Sequence, residues 1–289
     1  MKYHSIKELL DASEKEHKQI WEIVIEEDAL ERQVDKQECF DKMKLMYQSM
    51  KEADQAYDGK LMSASGMAGG DGEKMRQYNC HHNNICSEYT SMVMEKALKM
   101  GESNACMKRI VAAPTAGSCG VIPAILLSYE ECFHSAEEKM VEALFLCSGI
   151  GMIIAENASI AGAAGGCQAE IGTAAAMASG GLVYLLGGNN EQISTAVAIT
   201  IKSMLGLVCD PVCGLVEVPC IKRNVSGAML AISSSQLALA GIQSVIPTDE
   251  VIDAMARVGN QIPECLRETA KGGLAITETA MKLSEHLKA

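Results

Sequence analysis

The sequence predicts an all-α protein, a compact bundle of small-residue-rich helices with glycine-rich loops around a buried site. Three observations predict it. The first 56 residues carry apolar positions at helical spacing among Glu and Lys. The stretch from about Cys86 to Ala240 is made of helix-length apolar segments rich in Ala, Gly, Ile and Met. Alternating β-branched runs, which would mark strands, are few.

Taken in order, residues from Ser5 to about Ala56 predict two helices, with Ile20, Ile23 and Val24 on one stripe and Ser5 and Glu8 at capping-box spacing. The run YDGKLMSASGMAGGDGEK, residues 57–74, holds five glycines and reads as a loop. A second glycine-rich loop, APTAGSCG (Ala113 to Gly120), precedes an apolar, helix-like segment. EEKMVEALFLCSGIGMIIAENA and GAMLAISSSQLALAG have helical length. IGTAAAMASGGLVYLLGG, from Ile171 to Gly188, is long enough to span a membrane, yet it is mostly Ala and Gly, and Gln168 and Glu170 stand just before it. It reads as a helix buried in a protein core. Thr248 opens TDEVIDAMARVGN, with Asp249 and Glu250 in the first turn and Gly259 at the stop, and IPECLRETAKGG repeats that design. We expect an N-terminal helical segment, 1–56, and a larger helical domain, 57–289, which can also be read as continuous with it. No repeat of fixed period is present.

Composition excludes several classes. The 289 residues, 48% hydrophobic, suffice for a core, and only 4% are aromatic against 18 methionines, so Met, Ala and Leu fill it. Lys and Arg number 25 against 37 Asp and Glu, a net charge of −12 that repels phosphate backbones; no nucleic-acid partner is expected. The charged opening MKYHSIKELLDASEKEHK is unlike a signal peptide, so a cytoplasmic protein with no membrane association is expected. Twelve cysteines in a reducing compartment then read as buried small hydrophobes, with a subset binding metal.

Four constellations compete for chemistry. CHHNNIC (Cys80 to Cys86) offers two thiols with His81 and His82 for zinc, but its spacing is wider than a zinc knuckle. The glycine-rich loops free backbone N–H groups for an anion; neither matches a phosphate loop or a dinucleotide fold, so a carboxylate is the better ligand. Ser-x-Lys triplets that could mark a pyridoxal lysine (Ser5 to Lys7, Ser13 to Lys15, Ser49 to Lys51) all fall in charged N-terminal helices. The fourth is LGLVCDPVCGLVEVPCIKRN, residues 205–224, joined to the earlier thiol of AGGCQAEIG. These cysteines are flanked by Gly and Pro, at loop-like places where side chains can converge.

With SASGMAGGDG, APTAGSCGVIPA, GCQAEIG, CDPVCGLVEVPCIKRN and RETAKGGLA all present, the sequence from about Lys60 to Ala275 resembles the α chain of the iron–sulfur L-serine dehydratases. The resemblance implies a [4Fe-4S] cluster held by Cys167, Cys209 and Cys220, with one iron free of protein thiolate and no pyridoxal phosphate. It implies dehydration of L-serine to pyruvate and ammonium, the open iron acting as Lewis acid on the hydroxyl. Ser63, Ser65, Gly66, Thr115, Gly117 and Ser118 match loops placed around the substrate. Lys222, Arg223 and Asn224, directly after Cys220, are further substrate-side candidates. Cys213 reads as a neighbour and not a ligand.

Two departures from the family carry expectations. A β portion is fused to the α portion or made separately, and this sequence opens in α-type sequence, so a separate β chain and a hetero-oligomer are expected, with self-association compatible. The catalytic base is unassigned, and one place for it is that partner. Fused members carry a cluster-reaching cysteine at the C-terminal end, which ITETAMKLSEHLKA lacks. Other readings of the same thiols are an iron–sulfur L-cysteine desulfidase and a non-catalytic cluster-binding redox or regulatory protein.

Overall fold

The computed structural model describes residues 3–80 and 84–288. His81 and His82, the histidines of the zinc alternative, lie outside the described residues. The chain is all-α: among the described residues there is no β-sheet, only an isolated bridge between Cys209 and Arg267.

The N-terminal segment holds three helices where periodicity predicts two: α1 (Ile6–Glu16), α2 (Ile20–Arg32) and α3 (Lys36–Gln55). The breaks fall at His17 and Gln33, both left-handed, with φ of 52° and 56°. Neither is Gly or Pro, so the stops left no mark in the composition. Ser5 caps α1 by accepting from the Glu8 N–H, while the Glu8 carboxylate reaches back to the His4 N–H.

The predicted loop 57–74 ends early. Its last residues enter α4 (Asp71–Asn79), because Asp71 and Glu73 sit in the first turn, where negative charge is favoured, and Gly70 supplies the left-handed cap at φ 78°. α5 (Glu88–Ala105), α6 (Val121–Phe133) and α7 (Glu137–Asn157) follow, then the four-residue α8 (Gly162–Gly165) and α9 (Thr173–Leu185). Every residue of α9 is buried, as expected of its small-residue composition. It packs against α7, α10 (Asn190–Met204) and α11 (Cys220–Leu239). Close approach explains the glycines: a Cβ on Gly180 would lie 2.4 Å from Ile150 Cδ1, and one on Gly181 2.6 Å from Cys147 Sγ. α7 is long and apolar enough to cross a membrane by length and composition, and 67% of that window is buried inside the protein.

The C-terminal part departs once more from expectation. α12 (Thr248–Gln261) runs two residues past Gly259, but IPECLRETAKGG does not repeat its design. It forms a 3-10 turn, Glu264–Leu266, and then an irregular strap with Glu268 and Ala270 left-handed, leading into a second 3-10 turn at Gly273–Ile276; in it Cys209 N–H donates to Leu266 O and Glu268 N–H to Cys209 O. Backbone pairing with the Cys209 segment replaces the helical hydrogen bonds. α13 (Glu278–Lys288) closes the described chain. One hydrophobic cluster runs from Tyr3, Ile6 and Ile23 through Val93, Leu126 and Ile150 to Val251 and Met255, so the N-terminal helices share a core with the rest.

Candidate functional site

Three elements bring thiols toward one place. Cys167 opens a helical run whose first turn, Gln168–Gly172, is π-helical before α9 takes over. Cys209 lies on the strap-paired loop, and Cys220 is the first residue of α11. Two of the three therefore start helices and are not in loops, the placement the sequence suggested. Helix N-termini suit thiolates because their free N–H groups and dipole favour negative charge. All three side chains are buried, at 1%, 2% and 5% exposure.

The thiols act on one another. Burial pushes Cys209 far above its ordinary range, and Cys167 and Cys220 add to the rise. Burial, then Cys167, pushes Cys220 up to about 12. Burial pushes Cys167 up to about 11, opposed by the Arg223 guanidinium, which hydrogen-bonds its sulfur. Mutual influence of this kind requires proximity. Cys213 is half-buried at a left-handed φ of 58°, and Cys265 is exposed.

Arg223 ties the group to the fold. It donates to Val208 O at 2.8 Å and to Asp210 Oδ1 at 2.9 Å, and Asp210, 4% exposed, accepts from the Leu274 N–H with its other oxygen. The strap, the Cys209 loop and α11 are thus locked through one guanidinium. Lys222 is placed differently: its side chain is 58% exposed and pairs with Asp71 at 2.6 Å.

The two glycine-rich loops meet carboxylates of the chain itself. Ser63 and Ser65 both donate to Glu217 Oε2, at 2.9 and 2.5 Å, and Glu217 is buried three residues before Cys220. Gly66 is exposed at φ 75° with open space about it. Thr115 Oγ1 lies 2.8 Å from Ser118 Oγ and donates to Glu170 Oε1 at 2.5 Å. Gly117 N–H also serves Glu170, and a Cβ on Gly117 would sit 2.5 Å from Glu170 Oε1, so only glycine lets the carboxylate lie there. Asn224 fastens this loop to α11, accepting from Gly120 N–H and donating to Gly117 O and Cys220 O.

Glu170, Asp210, Glu217 and Glu268 are the site residues that reasoning from the sequence missed. A signal existed for the first. Between Ile160 and Leu186, Glu170 is the one charged residue, and an isolated carboxylate in an apolar run is costly unless it has a task. Glu268 influences Cys209, Cys220 and Glu170 from the strap, but nothing in RETAKGG announces that a left-handed Glu268 faces the thiols.

Among the described residues no three His, Cys, Asp or Glu side chains converge tightly enough for a single metal ion. One ion needs every donor about 2.0–2.3 Å from a common point. A [4Fe-4S] cluster takes each thiolate on a different iron. Three buried, mutually influencing thiols with a guanidinium alongside fit that second requirement in donor chemistry. A Met-lined apolar cavity of about 310 Å³, bordered by Met43, Met50, Ala113, Pro114, Met152 and Met177, includes none of the three thiols and lacks converging polar groups.

The fold and site together define an all-helical protein with a buried thiol centre flanked by loop-held carboxylates. The family model for the serine dehydratase alpha chain matches residues 15–275. A probable L-serine dehydratase alpha chain of Bacillus subtilis (strain 168) is 42% identical over 99% of this chain and 95% of its own length. The L-serine dehydratase alpha chain of Peptoniphilus asaccharolyticus is 38% identical over 97% of this chain and 96% of its own. An L-serine dehydratase of Helicobacter pylori (strain ATCC 700392 / 26695) is 36% identical over 95% of this chain, which spans 62% of that longer relative. The chain belongs to the serine dehydratase alpha chain family.

Proposed function

We propose that this chain is the α subunit of an L-serine ammonia-lyase, which dehydrates L-serine to pyruvate and ammonium with a separate β chain. Cys167, Cys209 and Cys220 would hold a [4Fe-4S] cluster, and no pyridoxal phosphate takes part. The observation that carries this reading is the meeting of three buried thiols from distant segments beside Arg223. When bound, the cluster supplies a Lewis acid at an iron without protein thiolate, which eases departure of a poor leaving group.

The chain's own residues do the rest. Arg223 offsets thiolate charge in a site that has little access to water. The Thr115 to Ser118 loop, held by Asn224, would border the substrate, its Thr115 hydroxyl and Gly117 N–H aiming the Glu170 carboxylate. Ser63 and Ser65 close another side through Glu217. Lys7 is exposed and pairs with Asp11, Lys15 is exposed, and Lys51 pairs with Glu130 and Glu137, so none of the three lysines considered for a Schiff base is a desolvated, unpaired amine. A β partner is supported by the alpha-chain names of the relatives and by the greater length of the Helicobacter one. A reducing cytoplasmic setting suits twelve unpaired cysteines.

The test is anaerobic co-expression with the β-type chain, followed by pyruvate formation from L-serine and iron per chain, for wild type and for Cys167→Ala, Cys209→Ala and Cys220→Ala. Wild type should turn over and each variant should lose iron and activity together. No pyruvate from L-serine with the partner present, or iron unchanged in all three variants, would sink the reading.

A further inference from the structure

Glu170 is held in a fixed pose by groups that leave its charge unanswered. Thr115 Oγ1 and Gly117 N–H both donate to its carboxylate, and the missing Cβ of Gly117 gives it a flat seat. Hydrogen bonds from neutral donors orient a carboxylate but supply no counter-charge. Among the described residues no Lys, Arg or His pairs with it. Arg223, the guanidinium at the site, is committed to Asp210, Val208 O and Cys167.

The surroundings are acidic. Glu170 raises the thiols of Cys209 and Cys220, which places it beside the proposed cluster, and Glu268 acts on the same thiols and on Glu170 itself. Burial pushes the Glu170 carboxyl above its ordinary range, with the Thr115 hydrogen bond opposing and Glu268 adding to the rise. A desolvated, oriented carboxylate without a cation is a place where a cationic group gains more than it would in water. The carboxylate also stands on the π-helical turn that begins one residue after Cys167, so its position is set by the same turn as a proposed ligand.

We propose that Glu170 receives the α-ammonium of the amino-acid substrate and so makes the site select 2-amino acids over their 2-hydroxy counterparts. The proposal rests on the lyase reading above and adds to it a specificity-determining residue. Thr115 and Gly117 then contribute to substrate binding through Glu170, by aiming its carboxylate. Recognition of this sort discriminates strongly, because an ammonium-free analogue leaves the carboxylate unpaired.

The experiment uses the anaerobically assembled holoenzyme with its β chain and compares wild type with Glu170→Gln. Glu170→Gln keeps an acceptor for Thr115 and removes the charge. KM for L-serine and the inhibition constant of glycerate, the 2-hydroxy analogue, are measured alongside calorimetric binding of both and iron per chain. Glu170→Gln should raise KM and weaken L-serine binding by about tenfold or more, the worth of a hydrogen bond to a charged group. Glycerate should bind the variant as well as the wild type or better. Equal weakening of serine and glycerate would show a merely structural role and overturn the proposal. So would an unchanged KM. Failure of the lyase reading looks different: wild type itself would then hold no iron or form no pyruvate.

Discussion

Asn224 on α11 accepts a hydrogen bond from the Gly120 N–H at 2.8 Å, joining the start of α6 to the helix that carries Cys220. Its amide donates to Gly117 O at 2.8 Å and to Cys220 O at 3.1 Å, and only 1% of the residue is exposed. Asn224→Ala leaves the Gly120 N–H and the Gly117 carbonyl buried without partners, each worth about 1–3 kcal/mol. A loss of about 2–4 kcal/mol in urea unfolding is expected, together with a drop in activity as the Thr115 loop loosens. Wild-type stability in that variant would contradict the placement of Asn224.

Gly120→Ala is expected to cost about 1–3 kcal/mol. The backbone at Gly120, φ −86° and ψ −19°, suits any residue, so conformation is not the obstacle. The added methyl would lie 2.6 Å from the Ala97 carbonyl oxygen and 3.0 Å from Asn224 Oδ1, and a helix backbone cannot move aside as a flexible side chain can. The denaturant midpoint measures it.

Asp54 gives the fold a defined acid sensitivity. Burial pushes its carboxyl up, but Lys96 at 2.7 Å and Lys99 at 2.8 Å prevail and hold it below the ordinary range. A depressed folded-state value means stability that is present above the unfolded value, about 3.9, and lost as pH falls through the folded one. Asp54→Asn should therefore be less stable than wild type at pH 7, and the gap should close below about pH 4. Asp54→Ala, which leaves Lys96 buried with only its exposed partner Glu131, should cost about 3–5 kcal/mol. Unfolding curves from pH 3 to 7 decide it.

Arg223→Met in the metal-free chain leaves Asp210 buried without a cation, at an expected cost of about 3–5 kcal/mol. Arg223→Lys keeps the charge but cannot reach Val208 O and Asp210 Oδ1 with one planar fork, so its loss should be smaller and still measurable. Equal stability of all three proteins would show that the strap does not depend on this guanidinium.

Helices with strong periodicity or distinctive composition were legible without coordinates. The Ala- and Gly-rich character of Ile171 to Gly188 announces a helix in intimate contact with neighbours, and α9 is buried along its whole length. Helix ends were less legible where the device was a left-handed His17 or Gln33, since a residue with a side chain does not advertise a positive φ. The strap after Pro263 read as a helix because its acidic start and glycine stop are local, while the Cys209 backbone that claims its hydrogen bonds lies far away in the chain.

By itself the sequence determined the helical class, the buried small-residue core and the motifs that mark the family, because periodicity, composition and motif residues are all local properties. Only the tertiary structure decided that Arg223 locks Asp210 while Lys222 turns to Asp71, and that Thr115 serves Glu170 and the two serines serve Glu217. Those partnerships join residues from 13 to 154 positions apart, and which donor meets which acceptor is set by how the helices pack.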